Sequence, residues 1–178
     1  EIQLDNTKSL YSQDEKVNEA EEYGFTFDKN ISDKLINDVN NTYGTRTNEV
    51  LLTALGLAAG KIADGSVGIM VESHGRTELN KPTAIERTIG WFTSCYPVVV
   101  NNNDSVADEL INIKETMRRV PKNGIDYLLL SDGFHANTDI IFNFYKTSLA
   151  EENRENQEIT FNGASVFPGK INVNSFIV

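Results

Sequence analysis

A chain of 178 residues, 39% hydrophobic and 24% charged, has enough apolar material for one buried core and is expected to form one main domain. Its 26 acidic against 16 basic side chains leave a net charge of −10, which repels nucleic acid and anionic membrane surfaces, so neither is an expected partner. No apolar run approaches the roughly 20 residues of a membrane helix and no signal peptide opens the chain, while the single cysteine, Cys95, excludes an internal disulfide and a multi-cysteine metal cage. A reduced, cytoplasmic protein is expected.

Residues 1–22 are polar, with an acidic stretch from Asp14 to Glu22, and read as a linker-like segment ahead of the folded part, 23–178. "YGFTFD" (23–28) alternates as a short strand. Ser32 is the expected cap of a helix to about Asn41, with Ile31, Leu35, Ile36 and Val39 on one face. A second helix from Asn48, "NEVLLTALGLAAGKIAD", is apolar nearly all round, as a buried helix is, and Gly65 ends it. "SVGIMVE" (66–72) is a buried strand, 73–88 a polar loop, and "GWFTSCYPVVV" (90–100) another strand, in which Pro97 requires an edge or a bulge.

Ser105 and Asp108 form a capping box for a helix over 105–119, with Val106, Leu110, Ile113 and Met117 facing inward. Four strands are expected after it, at 125–131, 138–146, 158–163 and 170–178. The pattern predicts an α+β (mixed α/β) layer structure, a sheet with helices packed on one face. The chain starts at Glu1 and stops within the alternating "INVNSFIV", so it reads as a piece cut from something longer.

Glu72 ends an apolar strand and opens onto "SHGR". A carboxylate there is partly desolvated, as a general acid or base needs to be; the alternative is an ion pair with Arg76 or Arg87. His74 is either a proton carrier or a loop-shaping group. Gly75 permits a turn that a side chain would block, and Arg76, with its planar fork, suits a structural tie to a carboxylate. Trp91 and Phe92 read as core, or as the lining of a channel. His135 reads as surface. No Gly-x-Ser-x-Gly elbow, P-loop or G-x-G-x-x-G fingerprint occurs, and no metal site is expected.

"ESHGRTE" (72–78) resembles the Glu-Gly-His-Gly-Arg-Glu motif of nonribosomal peptide synthetase epimerization domains. "RTIGWFTSCYPVVV", "YGTRTNEVLLTAL", "VPKNGIDY" and "IIFNFY" resemble four further segments of that family, in family order. The resemblance implies a chloramphenicol-acetyltransferase-like, condensation-domain-like fold, of which this chain is the C-terminal lobe. The His-His-x-x-x-Asp motif belongs to the other, N-terminal lobe, and "HH" occurs nowhere here. "GWFTS" and the glutamate at 72 favour epimerization over the condensation domains that share the fold.

By that resemblance Glu72 matches the catalytic glutamate, and Asn143 joins His74 as a candidate catalytic or loop-shaping residue. Arg76 is the structural tie to the missing lobe, while Trp91, Phe144 and Tyr127 line a channel or the core. Ser73, Thr77, Phe144, Asp126 and Leu128 depart from the family pattern. The implied reaction inverts Cα of an aminoacyl or peptidyl thioester by acid/base proton transfer. No cofactor is bound directly; a peptidyl carrier protein presents the substrate on its phosphopantetheine arm. The isolated piece is expected to be inactive without the N-terminal lobe, and to form a non-native dimer through the face that lobe would cover. The alternatives are a condensation-type lobe that forms peptide bonds and a degenerate lobe that only docks a carrier protein.

Overall fold

The computed structural model describes residues 6–8, 10, 22–77, 85, 87–130, 138–146, 159–167 and 170–177, with the side chains of 22, 23 and everything after Tyr145 left aside. Six strands, β1 (Glu22–Thr26), β2 (Val67–Ser73), β3 (Ser94–Val100), β4 (Ile140–Lys146), β5 (Ile159–Phe167) and β6 (Lys170–Ile177), form one sheet in the order β1-β5-β6-β4-β2-β3. The centre is parallel, β2 with β4 and β4 with β6; the flanks are antiparallel. This places the ends of β2 and β4 side by side, with Val71 opposite Phe142.

The register sorts side chains by parity. Val67, Ile69 and Val71 of β2, Tyr96, Val98 and Val100 of β3, and Ile140 and Phe142 of β4 form one face of the core. Against it pack two long helices, α3 (Thr47–Ala63) through Leu51, Leu52 and Ala59, and α4 (Val106–Arg119) through Ile113. Each such valine, leucine, isoleucine or phenylalanine side chain contributes about 1.5–3 kcal/mol when fully buried. Helix α3 approaches β3 closely enough that a Cβ on Gly56 would lie 2.4 Å from Val100, so glycine at 56 sets the distance between helix and sheet.

Upstream, α1 (Lys29–Asp33), a π-helical stretch (Lys34–Val39) and α2 (Asn40–Tyr43) run on without a break. The cap is Asp28, which accepts from Ile31 N at 2.9 Å, rather than the expected Ser32; Ser32 is buried, with its hydroxyl toward Phe27 O. Leu35 and Ile36 pack on the core, but Ile31 is exposed. On α3, Ala54, Ala58, Lys61 and Ile62 make a solvent stripe, so that helix is less enclosed than its composition suggests. Asp64, at φ 53° in the left-handed region, ends the helix one residue before the expected Gly65.

Ser105 caps α4 by accepting from Asp108 N, and Leu110 and Ile113 are buried as expected, whereas Val106, in the first turn, faces solvent. Pro97 lies on β3, the outer strand beside β2, as its missing donor requires.

The strand expected at 125–131 does not form. Left-handed residues at Lys122, Asn123 and Gly124 turn the chain, and α5 (Tyr127–Leu130) follows as a single helical turn closed by Leu130 N to Asp126 O at 3.0 Å. Tyr127 and Leu128 rest on Met70, Cys95 and Ile141, the opposite face of the sheet, so this run lies on the sheet instead of extending it. A short apolar run carries no period that separates strand from helix.

Trp91 is not core. It is 91% exposed, on an irregular stretch that precedes β3, and the strand alternation that would turn it inward starts only at Ser94.

In the N-terminal segment, Lys8 N donates to Ser66 O at 2.8 Å and Leu10 N to Asp139 Oδ2 at 2.5 Å, so these residues are tied to the sheet. Residues 11–21 of the segment read as a linker, and His135, lie outside the described residues. Among the described residues no helix is long and apolar enough to cross a membrane.

Candidate active site

At the end of β2 the apolar alternation stops at Glu72. Its side chain lies on the sheet face away from α3 and α4, with Cys95 of β3 directly opposite in register. On the other flank, β4 brings up Asn143, next in step after the Val71–Phe142 pair. Asn143 Nδ2 donates to Glu72 Oε2, and also to Tyr145 Oη at 2.6 Å. Among the described residues neither Arg76 nor Arg87 pairs with Glu72. Burial acts on a carboxylate with no salt-bridged cation among the described residues, and raises its pKa above the usual range.

The loop after Glu72 is fixed by its own backbone. Gly75 sits at φ +59°, and a Cβ there would lie 1.5 Å from Phe92 O, so only glycine lets the loop press against the run-in to β3. The Arg76 N–H donates to His74 Nδ1 at 3.0 Å, which ties the imidazole to the turn. The Arg76 guanidinium stacks over the Phe92 ring, 4.3 Å from its centroid, and donates to Ile85 O. Asn123 locks the other side, donating to Thr77 Oγ1 and accepting from Ser94 Oγ, both at 3.0 Å.

A cleft of about 660 Å³ opens over this strand end, with Glu72, His74, Asn143, Phe144 and Tyr145 in its wall. A second cavity of about 290 Å³ shares Glu72, Ser73 and His74, so the strand end is approached from two sides. Phe144 also packs against the core beneath the helices. Tyr127 lines the core on both sheet faces, and burial raises its pKa. Trp91 stands away from both cavities' walls.

The far wall of the larger cleft comes from the helices. Asn40 donates to Ile36 O at 2.7 Å and to Thr47 Oγ1 at 2.9 Å, and accepts from Thr45 Oγ1 at 3.1 Å. It thus joins the π-helical stretch to the start of α3. Helix α3 is held there by Glu49, only 1% exposed, which accepts from Arg46 N at 2.8 Å and from Arg118 Nε at 3.1 Å.

Glu72, His74, Arg76 and Asn143 thus meet in one region. Asn40, Cys95 and Tyr145 escaped the sequence reading. Tyr145 could have been found from its two-residue spacing to Asn143 on a strand; Asn40 and Cys95 carry no such signal. The arrangement can accept or return a proton at Glu72. Among the described residues no group of three His, Cys, Asp or Glu side chains is placed to hold a metal ion.

Solved structures share this architecture. The epimerization domain from the third module of tyrocidine synthetase B superposes with a TM-score of 0.69 at 32% identity, over 79% of this chain and 35% of that one. The first condensation domain of the CDA synthetase superposes at 0.60 with 13% identity, over 88% and 36%, which shows a common fold alone. The fold is the chloramphenicol-acetyltransferase-like one of condensation and epimerization domains.

In sequence, surfactin synthase subunit 2 of Bacillus subtilis is 36% identical over 144 residues, 80% of this chain, and gramicidin S synthase 1 of Brevibacillus brevis is 43% identical over 99 residues, 54% of it. The chain spans only 4% and 9% of those two proteins. Residues 3–177 match the Condensation domain family, nearly the whole length, and with the shared sheet and helices this makes the chain a member of that family.

Proposed function

We propose that this chain is the Glu72-bearing, C-terminal lobe (23–178) of an epimerization domain in a nonribosomal peptide synthetase. The domain inverts Cα of an aminoacyl or peptidyl group held as a thioester on the phosphopantetheine arm of a peptidyl carrier protein. The observation that carries this reading is the Glu72 carboxylate: half-buried at a cleft, with raised proton affinity, hydrogen-bonded by Asn143 and neutralised by no cation among the described residues. The thioester acidifies the Cα–H bond. Glu72 takes the Cα proton or returns it on one face, and a second acid/base group, from the part of the domain beyond this chain, acts on the other. The C–H electron pair passes into the thioester enolate and back, and no redox partner is needed. Arg76, stacked over Phe92, braces the loop and, in this reading, ties it to the other lobe.

Identity of 32% to an epimerization domain, against 13% to a condensation domain, supports the same choice. The test is the intact domain with a carrier-bound aminoacyl thioester in D2O. Deuterium should enter at Cα, and Glu72→Gln should slow this by about 10²- to 10⁴-fold, the usual range for general acid–base catalysis. A new amide bond without Cα exchange would instead mark condensation, and neither product a lobe that only docks the carrier.

A further inference from the structure

Tyr145 takes no part in the chemistry above, yet it stands in the cleft wall beside the residues that do. It follows Asn143 by two residues on β4, so both side chains leave the same sheet face. Asn143 Nδ2 has two hydrogens. One goes to Glu72 Oε2 and the other to Tyr145 Oη, 2.6 Å away. A carboxylate only accepts, so the amide must present its nitrogen to an ionised Glu72. Anchored at both hydrogens, the amide cannot swing without breaking one of these bonds. Anchored at Glu72 alone, it pivots, and the carboxylate keeps its donor for only part of the time.

We propose that Tyr145 is a positioning residue: its hydroxyl fixes the Asn143 amide so that Asn143 holds Glu72 ionised and aimed into the cleft, ready to accept a proton. A donor to the charged form opposes the effect of burial. This rests on the reading of Glu72 as the proton carrier, but its effect on Glu72 can be measured without turnover.

The experiment uses the intact domain that contains this chain, as wild type and Tyr145→Phe. The Glu72 carboxyl is followed by carbon-13 NMR across pH, its signal assigned by loss in Glu72→Gln. Tyr145→Phe should raise the Glu72 titration midpoint. It should also slow Cα exchange roughly fivefold on the acid side, about the worth of one hydrogen bond, with the wild-type rate regained at higher pH. Tyr145 is half-exposed, so losing one oxygen should leave the fold intact. A fluorotyrosine at 145, which keeps the ring and weakens the oxygen as an acceptor, should give a smaller shift in the same direction. An unchanged midpoint in both variants, or a rate loss equal at every pH, would overturn the proposal. A shifted midpoint in a domain that shows no exchange would refute the epimerization reading and leave this one standing.

Discussion

Glu72 and Cys95 face each other across the β2–β3 pair, a carboxylate and a thiol on one side of the sheet. The thiol pKa is pushed up to about 11, first by burial and then by the negative charge of Glu72. Glu72→Gln removes the second cause and leaves the first. The thiolate of Cys95, followed by its ultraviolet absorbance, should therefore appear at lower pH in the variant. An identical onset in both proteins would show that Glu72 carries no charge in that range.

The same carboxylate makes stability depend on pH with a definite sign. Glu72 binds its proton more tightly folded than unfolded, because burial disfavours the charge. Below the unfolded pKa both states are protonated and nothing is lost. As pH rises past it, the unfolded chain ionises first, so stability falls until the folded pKa is passed, then levels off. Glu72→Gln should flatten this decline, and should melt no lower than wild type at neutral pH. A variant that melts much lower would mean that the charge of Glu72 holds the loop together.

How much of this could be read from the residues alone differs from feature to feature. Glu72 was legible because an apolar strand that ends on a carboxylate is an unusual pattern, and Pro97 because a residue without a donor fits only an outer position. The turn at 127–130 was not, since Leu128 packs on a sheet face built by Met70 and Ile141, far away in the chain, while Leu129 and Leu130 face solvent. Trp91 is a similar case: the apparent alternation around it runs through residues 90–93, which have no strand neighbour. The Asn40 bonds to Thr45 and Thr47 follow from the π-helical turn, and no residue pattern announced that turn.

Arg118 reaches over the start of α3 to Glu49 Oε1 at 3.1 Å and to Gly44 O at 2.7 Å. Its side chain is 39% exposed, while that of Glu49 is 2% exposed. Breaking a fully buried pair costs about 3–5 kcal/mol. Water can partly replace a guanidinium this exposed, so Arg118→Ala should cost nearer 1.5–3 kcal/mol, about the worth of a hydrogen bond to a charged group. Urea unfolding measures it; a loss within the buried-pair range would mean that water does not reach Glu49.

Gly56→Ala places a methyl against the buried Val100 side chain and should destabilise by about 1–3 kcal/mol, the usual cost of overpacking. Pairing it with Val100→Ala should recover part of that loss. If the double variant is as unstable as the sum of the single ones, the contact between helix and strand is not the cause.

Trp91 and Ile89, both on the surface and close in sequence, give the chain an apolar patch. Such patches favour association. The 178-residue chain should self-associate at high concentration, and Trp91→Lys should shift light scattering toward the monomer. A wild-type chain that stays monomeric under the same conditions would remove this face from consideration.

The order of the sheet has a consequence for how the chain is made. Among the described residues, strand β1 pairs with β5 alone and β4 pairs with β6 on its far side, so β5 and β6 join the two ends of the sheet. During synthesis β1 must therefore wait until β5, far downstream in the chain, has emerged. Contacts between such distant segments form slowly, because a long loop must close before they stabilise anything. A ribosome-bound intermediate lacking β5 and β6 would hold the three strands β4-β2-β3 with an open edge on β4 and β1 without a strand partner, and this is the species that a folding chaperone would meet.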